Sequence, residues 1–155
     1  MLSMAGILAP VLGRTLLPLL PLFKVRKASG VDARLILDCR SLNSQLPRPG
    51  SMGLPSLDAV LAAVLQAHYV SEADASAYFY QFALGGGAEQ VFRTALGVGP
   101  RGGFRVWAMQ VLPMGFSFAP AIAQNTSNFL LACAKARLEP AQLTADGVAW
   151  VDNFI

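Results

Sequence analysis

Two aspartates stand where acids are expensive. Asp74 lies in the run Val70-Ser71-Glu72-Ala73-Asp74-Ala75, and Asp152 follows Val148-Ala149-Trp150-Val151. A carboxylate at the end of an apolar strand is costly to bury unless it holds a metal ion or another cation. Two such strands side by side would bring the carboxylates together. Paired carboxylates bind divalent metal, and two-metal sites drive phosphoryl transfer. The same acids also fit ordinary cap and turn positions.

Other chemistries are excluded or weakened by residue type. His68 is the single histidine, so chemistry needing two histidines is absent, and its place at the end of an apolar helix reads as structural rather than as part of a Ser-His-Asp triad. Cys39 and Cys133 are far apart and form no CxxC. They make neither a zinc site nor a disulfide scaffold and are expected to be small buried apolar residues. Gly97 to Gly102 spells GxGxxG, but a strand-like FRVWAM follows rather than a helix, so the stretch reads as a hairpin turn and not as a dinucleotide site.

The chain has 155 residues, the length of about one domain. With 54% hydrophobic and 14% charged residues, disorder is excluded. Fourteen glycines and ten prolines are too many for a plain helical bundle. The net charge of +3 conceals an asymmetry. Arg14, Lys24, Arg26, Lys27, Arg34, Arg40 and Arg48 face only Asp32 and Asp38 in the first 48 residues, whereas acids outnumber cations in the remainder. A basic front beside a mildly acidic body suits a polyanion partner held next to a carboxylate site, or else a solvated basic face. The first 23 residues are apolar, but Pro10, Pro18, Pro21 and Arg14 interrupt them and no cation precedes Arg14. Neither a signal peptide nor a membrane span is expected there. The expected location is intracellular, in cytoplasm or nucleus, with no membrane partner.

The elements that must position these residues follow from local pattern. Residues 21–27 and 34–39 read as a hairpin across a Gly/Asp turn. Residues 46–55 are a Pro/Gly loop. Ser56 caps a helix over 57–67 whose apolar residues run all round, so it should be mostly buried. Residues 69–84 read as a strand, a kink near Ser76-Ala77, then a strand or short helical turn. Residues 90–96 and 104–112 read as strands, and 113–120 as a loop. Residues 120–137 read as a helix with Ile122, Phe129, Leu130, Cys133 and Ala136 on one face, ended by Glu139-Pro140. Residues 147–155 read as a strand entering a tight turn at Asp152-Asn153. A hairpin that stops two residues past its turn suggests a piece of a larger protein.

Five motifs in order then carry a resemblance. From about Gly6 onward the chain resembles the fingers and palm of a retroelement reverse transcriptase. Phe23 to Asn43 resembles the fingers hairpin, with Arg34, Asp38, Arg40, Leu42 and Asn43 in place. Ser71 to Leu84 resembles the first catalytic motif, an Asp followed by a small-aromatic stretch and a Gln. Val91-Phe92-Arg93-Thr94 with Phe104 to Met109 resembles the F-R-T…G-x-F-x-x-x-x-M stretch. Leu112 to Gln124 is close to L-P-x-G-x-x-x-A-P-A-x-x-Q, and Trp150-Val151-Asp152-Asn153 stands where the Y-x-D-D box belongs.

The resemblance implies an α+β fold, a polymerase palm and fingers with an antiparallel sheet and packed helices, incomplete at the C-terminus. Fingers-like parts would span about 20–55 and 90–112, and palm about 56–89 and 113–155. It implies an RNA-directed DNA polymerase core that transfers deoxynucleotides to a primer on an RNA or DNA template. Asp74 and Asp152 would be catalytic ligands of two Mg²⁺ or Mn²⁺ ions, with the Ala75 carbonyl as a further ligand and Asn153 beside them. Lys27 and Arg34 would reach the incoming deoxynucleoside triphosphate, where a guanidinium binds two oxygens at once. Phe79, by count from Asp74 and Gln81, would exclude a 2′-hydroxyl by bulk. Met114 and Gly115 would border the nucleotide, and Lys24, Arg26, Arg40 and Pro120 the nucleic acid.

Structural roles stay open for two of these: Arg34 could simply pair with Asp38, and Phe79 could be core. Met114, Trp150 and Asn153 depart from the family pattern. Asn153 keeps an amide oxygen but removes one negative charge. The chain by itself is expected not to polymerise, lacking the downstream palm strands and thumb. The alternative is a degenerate retroelement remnant with no catalysis and at most weak nucleic-acid binding. A membrane or partner-binding protein with accidental matches is opposed by the motif order.

Overall fold

The computed structural model describes residues 6–11, 18–26, 33–98, 103–138 and 147–155. Along the chain run β1 (Leu8–Pro10), β2 (Leu22–Arg26), β3 (Ala33–Leu37), the one-turn α1 (Arg40–Asn43), α2 (Leu57–Gln66), β4 (Ala73–Asp74), 3₁₀ turns at Tyr78–Gln81 and Ala88–Gln90, β5 (Arg93–Val98), β6 (Phe104–Met109), α3 (Ala119–Leu138), β7 (Ala149–Trp150) and β8 (Asn153–Phe154). The fold is α+β, and every strand pairing among the described residues is antiparallel. No helix among the described residues is long and apolar enough to cross a membrane. Two compact units divide it, Met1–Arg48 with Phe79–Ala119, and Pro49–Tyr78 with Pro120–Ile155.

In the first unit β6 lies between β1 and β5. The β5–β6 ladder shifts register at a bulge between Leu96 and Val98, and Gly97 there has φ +67°, which glycine adopts without a Cβ penalty. The β2–β3 hairpin pairs Leu22 with Leu37 and Val25 with Arg34. Leu8, Leu20, Leu37, Cys39, Phe92, Met109 and Val111 form the core. Cys39 is buried as expected, and burial, with a smaller effect of the Asp38 charge, pushes its thiol up to about 11. Cys133 is exposed instead.

The loop after β6 is fastened to this core from two sides. Leu37 N–H donates to the Met114 carbonyl at 3.0 Å. The Asn43 side chain donates to the Gly115 carbonyl at 2.9 Å and accepts from Ser117 N–H at 3.0 Å. Gly115 has φ +108°, and a Cβ there would lie 2.2 Å from the Leu37 carbonyl oxygen. Both the backbone conformation and the close approach therefore require glycine.

In the second unit β8 lies between β4 and β7. Ser56 caps α2 as expected, its hydroxyl accepting from Ala59 N–H at 3.1 Å. The helix is not buried, however. Val60, Ala63 and Val64 are half-covered, while Leu57, Leu61 and Leu65 form an exposed stripe. A helix that packs on one side turns only one stripe inward, and apolar residues all round do not specify which.

The helix α3 departs from expectation in the same way. Ile122, Phe129, Leu130 and Cys133 are exposed, and the buried face is Ala119, Ala123, Gln124 and Ser127. Small and hydrogen-bonding residues allow the β7–β8 hairpin to approach the helix closely, so the polar contacts choose the face. Residues 139–146, including the expected stop at Glu139-Pro140, lie outside the described residues, as does the 99–102 turn.

These contacts set an expected outcome. Gly115→Ala should destabilise the protein by about 3 kcal/mol, from overpacking together with the unfavourable φ. Ala77→Gly, at an exposed position with φ +53°, should be neutral or slightly stabilising. Urea unfolding of the two variants checks both signs.

Candidate functional site

A two-residue turn and a two-residue strand hold the acids. Asp74 ends β4 and is directly opposed to Asn153 of β8. Directly opposed residues in an antiparallel pair share a face, with Cβ atoms about 4.5–5.5 Å apart. Ala75 N–H continues the ladder, donating to the Asp152 carbonyl at 2.8 Å. Asp152 itself lies in the turn, not on a strand. The turn residues are Val151 and Asp152, one position earlier than the sequence suggested, because Trp150 already pairs with Asn153. Asp74, Ala75, Asp152 and Asn153 thus form one main-chain-bonded cluster. Asp74 is exposed and the other three are half-buried.

Val151 has φ +55°. A β-branched residue in that region is a genuine outlier, maintained only where the surroundings over-determine it. Here α3 supplies them. The Gln124 carboxamide, 0% exposed, accepts from Val151 N–H at 2.7 Å and donates to the Ala149 carbonyl at 2.8 Å. The same amide nitrogen donates to the Asn128 side chain at 2.9 Å. The Ser127 hydroxyl donates to the Val151 carbonyl. Both main-chain polar groups of the strained residue are therefore bonded to helix side chains.

The oxygen groups that these four residues carry are all hard donors: two carboxylates, the Asn153 amide and the Ala75 carbonyl. That set suits Mg²⁺ or Mn²⁺. Among the described residues no group of three or more His, Cys, Asp or Glu gathers, so a metal here would depend on two acids with neutral oxygens. Past Ala75 the chain turns sharply, with Ala77 at φ +53°, as the expected kink required. It then enters the 3₁₀ turn Tyr78–Gln81. Tyr78 is 6% exposed, with its hydroxyl 2.8 Å from Ser127 Oγ. Phe79 is half-buried. Pro120 is the second residue of α3 and half-buried.

In the first unit, register separates the basic residues. Lys24 and Arg26 share a face with Leu22, Leu35 and Leu37, whereas Arg34 lies opposite Val25 on the other face. Lys24 and Arg26 therefore do not share one face of the hairpin with Arg34. Lys27 lies outside the described residues. Tyr80 caps the outer edge of β3, donating to the Leu35 carbonyl at 2.8 Å and accepting from Leu35 N–H at 3.2 Å. Met114 is half-buried and Gly115 exposed in the fastened loop.

Asp38 takes Arg40, not Arg34. The guanidinium meets both carboxylate oxygens, at 2.9 and 2.6 Å. Hydrogen bonds from the Arg40 side chain and backbone hold the Asp38 carboxyl down at about 2. Arg40 is exposed and Asp38 half-buried, and the pair is a local clamp at the start of α1. The roles of Gln124, Ser127, Asn43 and Tyr80 escaped sequence reading. Asn43 and Gln124 were visible as motif positions without their main-chain partners, and Ser127 and Tyr80 gave no signal.

No protein-family model matches the chain, and no curated protein matches it. Among solved structures it is similar to a foamy viral protease-reverse transcriptase solved in complex with double-stranded DNA, at a TM-score of 0.68 and 22% identity. The match covers 97% of this chain and 23% of that one. The fold is reverse transcriptase-like, and this chain spans about a quarter of the length of that neighbour.

Two outcomes follow from the contacts. Gln124→Leu should cost roughly 3 kcal/mol, because the Val151 N–H and Ala149 carbonyl lose their partner in the interior; thermal unfolding checks it. Asp38 should titrate near 2 in a carbon-detected NMR titration. Since its folded value is depressed, its contribution to stability is present above the ordinary value of 3.8 and disappears as pH falls toward 2. Arg40→Ala should return the midpoint to the ordinary range.

Proposed function

We propose that the chain is the core of an RNA-directed DNA polymerase, acting by two-metal phosphoryl transfer on a primer annealed to an RNA or DNA template. The observation that carries this reading is the β4–β8 pairing, which sets Asp74 across from Asn153 and bonds Ala75 to Asp152 in a reverse transcriptase-like fold. Asp74, Asp152 and the Ala75 carbonyl would hold two Mg²⁺ or Mn²⁺ ions, with Asn153 alongside. Bound there, the ions supply activation of the primer hydroxyl and neutralisation of charge on the triphosphate.

The protein's own groups do the rest. Arg34 and Lys27 bind phosphate oxygens of the incoming deoxynucleotide, and Phe79 excludes a ribose 2′-hydroxyl by bulk. Met114 and Gly115 border the nucleotide. Gly115 keeps its loop against Leu37 because it has no side chain. Lys24, Arg26, Arg40 and Pro120 contact nucleic acid, with Arg40 also oriented by Asp38. The neighbour's capture with double-stranded DNA supports a nucleic-acid partner. The split of Lys24 and Arg26 from Arg34 supports separate tasks, backbone binding for the first two and triphosphate binding for the third.

The test is formation of a ternary complex. A fluorescent dideoxy-terminated primer on an RNA template is titrated with the protein in Mg²⁺, with the matching or a mismatched deoxynucleotide. The matching nucleotide should make binding more resistant to salt, and Asp74→Asn or Asp152→Asn should remove that difference. Lys24→Ala with Arg26→Ala should flatten the slope of log affinity against log salt by about one for each phosphate no longer neutralised. Equal binding with matched and mismatched nucleotides would favour a catalytically dead remnant.

A further inference from the structure

We propose that Tyr78 and Ser127 are positioning residues for the two carboxylates, tying the segment that leaves Asp74 to the turn that carries Asp152. The inference rests on the reading of Asp74 and Asp152 as metal ligands and adds the device that sets their spacing.

Hydrogen bookkeeping gives the pair a direction. Ser127 has one hydroxyl proton, and it points to the Val151 carbonyl. The 2.8 Å contact between Tyr78 and Ser127 must then be donated by tyrosine. The result is a chain from the Tyr78 hydroxyl through Ser127 Oγ to the Val151 carbonyl. Ser127 is 0% exposed and Tyr78 6%, so water cannot easily replace either bond. Consecutive hydrogen bonds in such an interior also strengthen one another.

The two ends of this chain are the irregular points of the backbone. Tyr78 directly follows Ala77, at φ +53°, on the way out of Asp74. Val151, at φ +55°, directly precedes Asp152. Ala77 and Val151 are the only non-glycine residues with positive φ among those described. One hydrogen-bonded path through α3 therefore joins the two strained positions that flank the carboxylates. Phenylalanine and alanine would fill the same interior, but alanine would leave the Val151 carbonyl without its Ser127 partner. The hydroxyls fix where the Asp152 turn sits relative to the exit from β4. With Asn153 in place of a third acid, the site has less charge to attract an ion and depends more on geometry, because Mg²⁺ demands a near-ideal ligand arrangement.

The experiment is a Mn²⁺ titration of the 155-residue protein, following free Mn²⁺ by electron paramagnetic resonance, with thermal unfolding in parallel. Asp74→Asn and Asp152→Asn define the ions bound at the carboxylates. Tyr78→Phe and Ser127→Ala should each weaken that binding roughly tenfold, as removing outer-shell support does at other metal sites, while melting falls by only a few degrees. The double variant should be no weaker than the worse single one, since both break one path. Mn²⁺ affinity unchanged in the variants, whatever their melting temperature, would overturn the proposal and leave the carboxylate site intact. If Ser127→Ala fails to fold, Tyr78→Phe, which keeps the ring, decides. Wild-type binding that is insensitive to Asp74→Asn and Asp152→Asn would overturn both the metal reading and the positioning role.

Discussion

A hairpin made of two-residue strands cannot hold itself, and here the Gln124 carboxamide does the holding. Isolated two-stranded hairpins are marginal in water, and this one also contains a β-branched residue in left-handed conformation. Gln124 answers the Val151 N–H and the Ala149 carbonyl with one side chain, and Ser127 answers the Val151 carbonyl. With the turn fixed, β8 is positioned to pair with β4. With β8 paired, Asp74 faces Asn153 and Ala75 bonds Asp152. The placement of the acidic cluster is a consequence of a neutral amide on a helix.

The first unit uses the same device at another loop. Asn43, at the end of a single helical turn, bonds the chain on both sides of Phe116. Gly115 then lies against the Leu37 carbonyl at a distance no side chain tolerates. Phe116 packs edge-on to Phe92, with centroids 5.0 Å apart, which joins the loop to the apolar core. In both units a side-chain amide reads two main-chain groups at once. Such a contact fixes register as well as position, which a purely apolar contact does not.

Charge is arranged with similar economy. The Asp38–Arg40 pair has its cation in solvent and stabilises little by itself, but it orients Arg40. It also leaves Arg34 free of the carboxylate that sequence proximity offered. Alternation along β2 and β3 then places Arg34 on the opposite face from Lys24 and Arg26. A linear count of cations cannot see that division, because a strand reverses the side of every second residue.

Several of the elements were legible in the sequence, though β1 and the single turn α1 were not. Alternation and turn residues marked the β2–β3 and β5–β6 pairs, Ser56 marked the start of α2, and the small residues around Ala77 marked the kink, since each depends on neighbours within a few positions. Motif order pointed to a reverse transcriptase-like fold, which the structure has. Only the tertiary structure decided which faces are buried. It exposed Leu57, Leu61 and Leu65 on α2 and Phe129 and Leu130 on α3, and it turned Gln124 and Ser127 inward. It also placed the turn at Val151-Asp152, and it split the cations of the first hairpin. These outcomes depend on partners distant in sequence: a buried amide is favourable only if matching main-chain groups arrive opposite it, and nothing local to Gln124 announces the hairpin that supplies them.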